Sequence, residues 1–464
     1  MLLGVRSSAR HGRPARHLRL LQAAAAQLEP DSELDFSDPR QVFDKKSTPE
    51  LVRSLAVLKL CSQDWFVDNA LPILRGSERL LGRRLLLALA RPLYSQFVPG
   101  TCEADLAQAA ARLRRTGVRL VFAHMLEDDL REGQTLSALL DDNLALTLHQ
   151  FGMATRVTAG EAHPCTLLKL TGLVAVPALA ALSGALTAAP ADRLTRLTEG
   201  VATQLSGGPW YRLAELTEEQ QRHWDDGLAR LRAVGEFCER HSLRTMVDGE
   251  YSYTNPAIGL LTLALAANFN TRSPLIWGTT QCYLRDAEQT LTKHLSVVDS
   301  LGVSYGVKLV RGAYLEKEVA RALKLGIPRP IHDTYQVTSD NYNRQVERML
   351  GRVATLGDRS AVMVASHNEN SVRLAVRLMA QLGLPRDDGR VLFGQTYGVY
   401  EQVSTPLASA GYAVYKSTPL GDISSILPYL ARRAAENRTV ARGTRSERRL
   451  LAAELCRRLG LTGS

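Results

Sequence analysis

Eight short β-rich runs, each followed by a long helical or loop segment, constrain this chain more than anything else in it. They are Val118 to Phe122, Thr166 to Leu170, Arg244 to Asp248, Leu275 to Thr279, Gly306 to Val310, Ala361 to Ser366, Arg390 to Gly394 and Ala413 to Lys416. A strand can pair in parallel with the next one only if a crossover of a dozen or more residues carries the chain back. Alternation of this kind therefore predicts a parallel sheet in the α/β class. Eight units are the number that closes a (β/α)8 TIM-type barrel, with a doubly wound open sheet as the alternative.

Polar residues cluster where such a barrel builds its chemistry. Lys169, Asp248, Gln281, Arg311, Tyr314, His367, Gln395 and Ser417 stand at or just after the carboxyl end of a run, the face on which barrel enzymes place their sites. No G-x-G-x-x-G follows a run and no P-loop occurs, so neither a Rossmann cofactor site nor a phosphate-binding loop of that kind is indicated. The six cysteines form no C-x-x-C pair and the ten histidines no H-E-x-x-H. No metal site is expected, and free thiols in a reducing compartment are.

Residues before the first run read differently. Leucines and alanines at helical intervals between about residue 30 and 112 predict helices opening at Pro49-Glu50, within Pro72 to Phe97, and over Glu103 to Arg115. The first 28 residues contain Arg6, Arg10, Arg13, Arg16 and Arg19, and no acid precedes Glu29. This is the composition of a mitochondrial presequence, a basic surface helix being the other reading. Much of the net charge of +10 has that origin, so it is not read as a nucleic-acid footprint. The expected organisation is a presequence over 1–28, a helical arm over 29–112, and a barrel with C-terminal helices over 113–464. The uncharged stretch 170–191 is long enough to span a bilayer, but Pro177, Pro190 and several hydroxyls dilute it. A strand end followed by a buried or surface-associated helix is expected instead.

Near the C-terminus, Tyr415 to Arg438 joins the last run to a helical stretch bearing Arg432 and Arg433, with Glu436 four residues after Arg432. Alone, adjacent arginines are ordinarily solvated surface. Five motifs give them another meaning: V-D-G-E at 247–250, Y-L-R-D at 283–286, K-L-V-R-G-A-Y at 308–314, A-S-H-N-E at 365–369 and Y-L-A-R-R-A-A-E-N at 429–437. Together they resemble the proline dehydrogenase family, in family order and at successive strand ends. The resemblance implies a distorted (β/α)8 barrel that holds FAD noncovalently, oxidises a cyclic imino acid and passes electrons to a membrane quinone.

The resemblance also assigns roles. Lys169, Arg432 and Arg433 are expected to grip the substrate carboxylate, Asp248 to balance these cations and help orient Lys169, and Tyr314 to line the substrate pocket. Glu127 matches an acidic residue that pairs with the first arginine when the site is empty, although Ala123 stands where the family usually has an aspartate. Gln281 and Lys308 are expected at the flavin ring. Val310, Gly312, Ala313, Ser366, His367 and Asn368 match flavin-contacting segments, with Thr334 and Glu436 as further contributors.

The chain departs from the family pattern at two places. Ser417 falls where proline-oxidising members carry a tyrosine, and Thr396 where they carry a leucine facing the substrate ring. Two walls thus become small hydroxyls, which make room for an added hydroxyl and hydrogen-bond it. The expected substrate is 4-hydroxyproline, with 1-pyrroline-3-hydroxy-5-carboxylate as product. Plain proline is the alternative, and a catalytically silent mitochondrial scaffold a remote one. Peripheral contact with the mitochondrial inner membrane is expected from either the 170–191 stretch or the basic helix Arg445 to Arg458.

Overall fold

The computed structural model describes residues 34–123, 126, 134–187, 189–419, 423–436 and 443–461, with positions 424, 425 and 433–436 described as backbone. The presequence and Glu127 lie outside the described residues. Among the described residues, five helices precede the first strand: α1 (Pro39–Phe43), α2 (Thr48–Cys61), α3 (Asp64–Leu81), α4 (Arg83–Phe97) and α5 (Glu103–Arg114). The strands are β1 (Val118–Ala123), β2 (Cys165–Leu168), β3 (Arg244–Val247), β4 (Ile276–Gln281), β5 (Tyr305–Val310), β6 (Ser360–Ala365), β7 (Val391–Thr396) and β8 (Val414–Pro419). They form a closed parallel barrel in sequence order, and Val118 pairs with Val414 to close it. All eight predicted runs are strands, with ends that coincide or shift by up to three residues.

Between β1 and β2 lies α6 (Leu136–Val157), and between β2 and β3 lie α7 (Val176–Leu186), α8 (Ala191–Leu205) and α9 (Glu218–His241). The later crossovers are α10 (Asn255–Phe269), α11 (Ala287–Ser300), α12 (Leu315–Leu325), α13 (Tyr335–Leu356), α14 (Glu369–Gln381) and α15 (Glu401–Ser409). After β8 come α16 (Ile423–Glu436) and α17 (Arg445–Arg458).

Strand alternation separates two cores. Val121, Met246, Trp277, Met363, Leu392 and Tyr415 point inward and fill the barrel. Leu168, Val247, Ile276, Val307, Val362, Phe393 and Val414 point outward into the larger core beneath the helices. The inward aromatics keep their polar tips satisfied. Trp277 Nε1 donates to the Pro274 carbonyl at 2.8 Å, and the Tyr415 hydroxyl donates to the His163 carbonyl at 2.9 Å. Bulky side chains thus plug the amino-terminal part of the barrel and leave its carboxyl end open for a site.

The uncharged 170–191 stretch becomes a 3-10 turn (Leu170–Gly172) and α7, whose Ala178, Leu179, Leu182 and Leu186 are buried. Among the described residues no helix is long and apolar enough to cross a membrane. The leucine-rich segment predicted within Pro72 to Phe97 is two helices. They break at Gly82, whose φ of 74° lies in the left-handed region that favours glycine, and Pro72 sits inside α3. This α3–α4 hairpin packs on α16 through Leu74, Leu87, Leu93, Tyr94, Phe97, Ile426, Leu427 and Leu430. The arm therefore roofs the carboxyl end of the barrel.

Candidate active site

Between the barrel mouth, the α3–α4 hairpin and α16 lies a cavity of about 1140 Å³. Its floor is built from strand ends. Asp248, Gln281, Lys308, Val310, Gly312, Ala313, Tyr314, Ser366, His367, Asn368, Thr396 and Ser417 all line it, so twelve residues expected from the sequence come together. Its roof is apolar and includes Leu74, Leu86, Leu93 and, from α16, Leu427 and Leu430.

The central feature is an ion pair. Lys308 on β5 reaches across the mouth to Asp248 after β3, with Nζ 2.5 Å from Oδ1. Both side chains project inward because they sit at inward positions of their strands. Lys308 is buried at 7% exposure; an unpaired ammonium there would lose its hydration without replacement, and Asp248 offsets that cost. Asp248 is thus the partner of Lys308.

Lys169, just after β2, is electrostatically coupled to Glu250. Glu250 is buried at 2% exposure, and burial pushes its carboxyl above the usual range, opposed by Lys169 and by hydrogen bonds from Thr171. The Thr171 hydroxyl donates to it at 2.6 Å. The Glu250 amide in turn donates to Asn255 Oδ1 at 2.7 Å, and Asn255 Nδ2 donates to Gln281 Oε1 at 2.7 Å. Lys169 and Gln281 are thereby linked through Glu250 and Asn255. Sequence reasoning quoted Glu250 in a motif without giving it work; its place one residue past a strand-end V-D-G was the available signal.

Arg311 is the second residue that reasoning passed over as a ligand group. Nη1 donates to Ser366 Oγ at 2.5 Å and Nη2 to Ser371 Oγ at 2.9 Å, and the guanidinium lies 4.4 Å from the centroid of the Tyr342 ring. Its Nε is buried without a partner, as is His367 Nδ1. Next to Arg311, Gly312 has a φ of 145°, and an added Cβ there would collide with the Tyr283 ring. Two orphaned polar atoms and a glycine-lined approach on one wall suit a large polar cofactor with anionic and ring-nitrogen groups. Asn368 also caps α14, accepting from the Ser371 amide at 2.9 Å.

His367 stacks on Tyr400 with ring centroids 4.2 Å apart. Burial, with Lys416 and Arg311 nearby, lowers its pKa to about 3. At neutral pH the ring is an uncharged hydrogen-bonding group. The depressed value means that the unfolded chain, near the ordinary histidine pKa of about 6.5, takes up the proton first. His367 therefore contributes stability that is present above about pH 6.5 and lost as pH falls toward 3. In His367→Gln, the fall in unfolding free energy between pH 6 and 4 should be shallower than wild type by up to about 1.4 kcal/mol per pH unit. Chemical denaturation at stepped pH measures it, and equal slopes would refute it.

Thr396 and Ser417 are Cα partners across the β7–β8 ladder, and the Tyr397 amide donates to the Ser417 carbonyl at 2.9 Å. Register partners in a sheet share a face, so the two hydroxyls stand side by side on the cavity wall. Neither side chain is among the hydrogen-bonding groups of the described residues. Behind them, the fully buried Lys416 Nζ donates to the Thr396 carbonyl at 3.2 Å and the Val399 carbonyl at 2.6 Å, with Glu401 Oε1 at 3.8 Å. This anchor fixes the turn that carries Thr396.

Other expected residues stand apart. Thr334 is the N-cap of α13, accepting from the Val337 amide at 3.2 Å, and is not part of the cavity lining. Arg432 is exposed, one residue beyond Ala431, which does line the cavity. Arg433 and Glu436 follow on α16, and their side chains lie outside the described residues. Of the three cations expected to grip the carboxylate, the side chains of Lys169 and Arg432 are described and that of Arg433 is not.

An eight-stranded parallel barrel with a roofed cavity, a lysine–aspartate ion pair on its floor and buried polar atoms without partners beside it defines a cofactor-dependent (β/α)8 enzyme. The "Proline dehydrogenase" family profile matches residues 106–446. The chain belongs to that family, a family of flavoenzymes that oxidise imino acids. Among its relatives, the hydroxyproline dehydrogenase of Xenopus laevis is 37% identical, covering 94% of this chain and 92% of its own length. That of Bos taurus is 39% identical over 90% and 92%. The mitochondrial proline dehydrogenase 1 of Homo sapiens is 30% identical over 94% and 92%. Among solved structures, proline utilization A from Bdellovibrio bacteriovorus superposes with a TM-score of 0.61 at 16% identity. The match covers 96% of this chain and 44% of that longer one, and it supports the fold alone.

Proposed function

We propose that this chain is a mitochondrial hydroxyproline dehydrogenase. It oxidises trans-4-hydroxy-L-proline to 1-pyrroline-3-hydroxy-5-carboxylate, holds FAD, and passes the electrons to a quinone. The observation that carries the substrate is the pair of adjacent hydroxyls on Thr396 and Ser417 facing the cavity. A wall with two unsatisfied hydroxyls recognises a substrate hydroxyl and disfavours the ring that lacks one. Relatives named for hydroxyproline at 37–39% identity, against 30% for the human proline enzyme, support the same reading.

When bound, FAD would supply a hydride acceptor for ring C5; the substrate nitrogen, held as the neutral amine, would form the C=N bond and give up its proton to solvent. The residues present fit that group. Arg311 and His367 offer unpartnered donors or acceptors, and Lys308 places a positive charge on the cavity floor, where it favours electron-rich states of whatever is held against it. Gln281 is kept in position by Asn255 and by donating to the Gly249 carbonyl at 3.1 Å. Lys169, Arg432 and Arg433 are proposed to bind the substrate carboxylate, with α16 bringing the arginines to the mouth. Tyr314, tilted against Tyr251 with centroids 4.5 Å apart, is proposed to cover the substrate ring. The apolar roof from α3, α4 and α16 excludes water from the reaction.

Anaerobic mixing of the purified flavoprotein with each imino acid tests this. Bleaching of the flavin absorbance should be at least about tenfold more efficient with trans-4-hydroxy-L-proline than with L-proline. A preference for L-proline would overturn the substrate assignment, and folded protein that never binds flavin would overturn the enzyme.

A further inference from the structure

The two stretches expected to face a membrane carry few exposed large apolar side chains, Val176 on α7 being 37% exposed. Helix α7 buries the face bearing Ala178, Leu179, Leu182 and Leu186, and α17 packs against α2 with Leu451 buried. A different element carries more. Glu78 to Leu85, the turn of the α3–α4 hairpin, is exposed at every residue. Leu80 is 84% exposed, Leu85 49% and Leu81 39%, and Leu89 one turn further on is 61% exposed. Exposed leucines grouped in this way are unlike the scattered single apolar residues of an ordinary surface.

The charges around them are one-sided. Between Arg75 and Arg91 stand Arg75, Arg79, Arg83, Arg84 and Arg91 against the single acid Glu78. All five arginines are exposed, and none forms an ion pair among the described residues. A leucine tip ringed by arginines is complementary to an anionic lipid surface, with leucines entering the acyl boundary and guanidiniums meeting phosphates.

The hairpin is also the roof of the site. Its inner side, with Leu74, Ser77, Leu86 and Leu93, lines the cavity; Leu81 and Leu89 line it too while remaining exposed at its rim, and Leu80 and Leu85 lie outside that lining. We infer that the α3–α4 hairpin docks this protein end-on to an anionic bilayer through Leu80, Leu81, Leu85 and the surrounding arginines, so that the apolar cavity opens toward the lipid. The docking stands on the hairpin itself. That a lipid-dissolved acceptor reaches the cavity by this route rests on the proposed reaction.

Flotation of the full-length flavoprotein with phosphatidylcholine vesicles, with and without cardiolipin, tests the docking. Wild type should float with the cardiolipin vesicles and less with phosphatidylcholine alone, and added salt should weaken the binding. The double variant Leu80→Asp/Leu85→Asp should lose about tenfold or more in vesicle affinity. Arg79→Gln/Arg83→Gln/Arg84→Gln should lose about fivefold per arginine on the cardiolipin vesicles alone. Oxidation of hydroxyproline with a soluble acceptor should stay within about twofold of wild type in both, since neither set lines the cavity. Equal flotation of wild type and the leucine variant would overturn the assignment, as would wild type that fails to float but forms a dimer that the leucine variant cannot. Loss of imino-acid oxidation in wild type, with flotation intact, would sink the proposed reaction and leave the docking standing.

Discussion

Replacing Ser417 with tyrosine should reverse the substrate preference. The hydroxyl stands on the cavity wall beside Thr396, its register partner on β7, and both line the cavity. A phenol ring at this position fills the space an added ring hydroxyl would occupy and removes one of its two hydrogen-bonding partners. Either effect alone is worth about 1–3 kcal/mol, so kcat/KM for trans-4-hydroxy-L-proline should fall by about 100-fold. For L-proline it should rise, because the ring gains an apolar contact and no polar group is left unpaired against it. The companion Thr396→Val removes a hydroxyl at nearly constant volume and should cost about tenfold on hydroxyproline with little change on proline. The two positions touch the same wall, so their effects should not add. Steady-state kinetics with both imino acids reads all of this, and an unchanged ratio in Ser417→Tyr would show that the wall does not select the substrate.

The second large effect lies at the Asp248–Lys308 pair. In Lys308→Met the Asp248 carboxylate loses its 2.5 Å partner and is left near Glu250, whose own carboxyl its charge already pushes upward. Breaking a fully buried pair costs about 3–5 kcal/mol, and since Asp248 remains partly open to the cavity the expected loss is about 2 kcal/mol. Activity should fall further than stability does. Loss of the Lys308 charge from the cavity floor should lower kcat/KM by about 100- to 1000-fold. Lys308→Arg should recover much of the activity, since it keeps the charge. In the double variant Lys308→Met/Asp248→Asn, stability should return while activity does not, because the unpaired carboxylate is gone but the cation is still missing. Recovery of both together would make the pair purely structural.

The barrel was legible because both sides of its strands are buried, so each strand reads as a short β-branched and aliphatic run with polar residues at its end. The position of Asp248, Gln281, His367 and Ser417 followed from that, since all barrel strands end at one mouth. The pairing among them did not follow. Asp248 meets Lys308, two strands away, and Lys169 acts on Glu250, because inward-pointing residues at one level face each other across the barrel whatever their separation in sequence. Arg311 was visible at a strand end but not as a cavity cation, since its orphaned Nε and its hold on Ser366 and Ser371 exist only once β5, β6 and α14 are packed.

The helical arm was the least legible part. Leucines spaced over Pro72 to Phe97 predicted helix, but an amphipathic helix carries no mark of what its apolar face will meet. Folding put one side of the α3–α4 hairpin over the site and left the leucines of its turn in solvent. By itself, the sequence determined the barrel, the strand-end chemistry and the two hydroxyls at Thr396 and Ser417, because these depend on local alternation and on identities at fixed positions. Only the tertiary structure decided which charges pair and what roofs the cavity. Those contacts join residues far apart in the chain, and they are set by how packed helices and strand ends converge rather than by any local pattern.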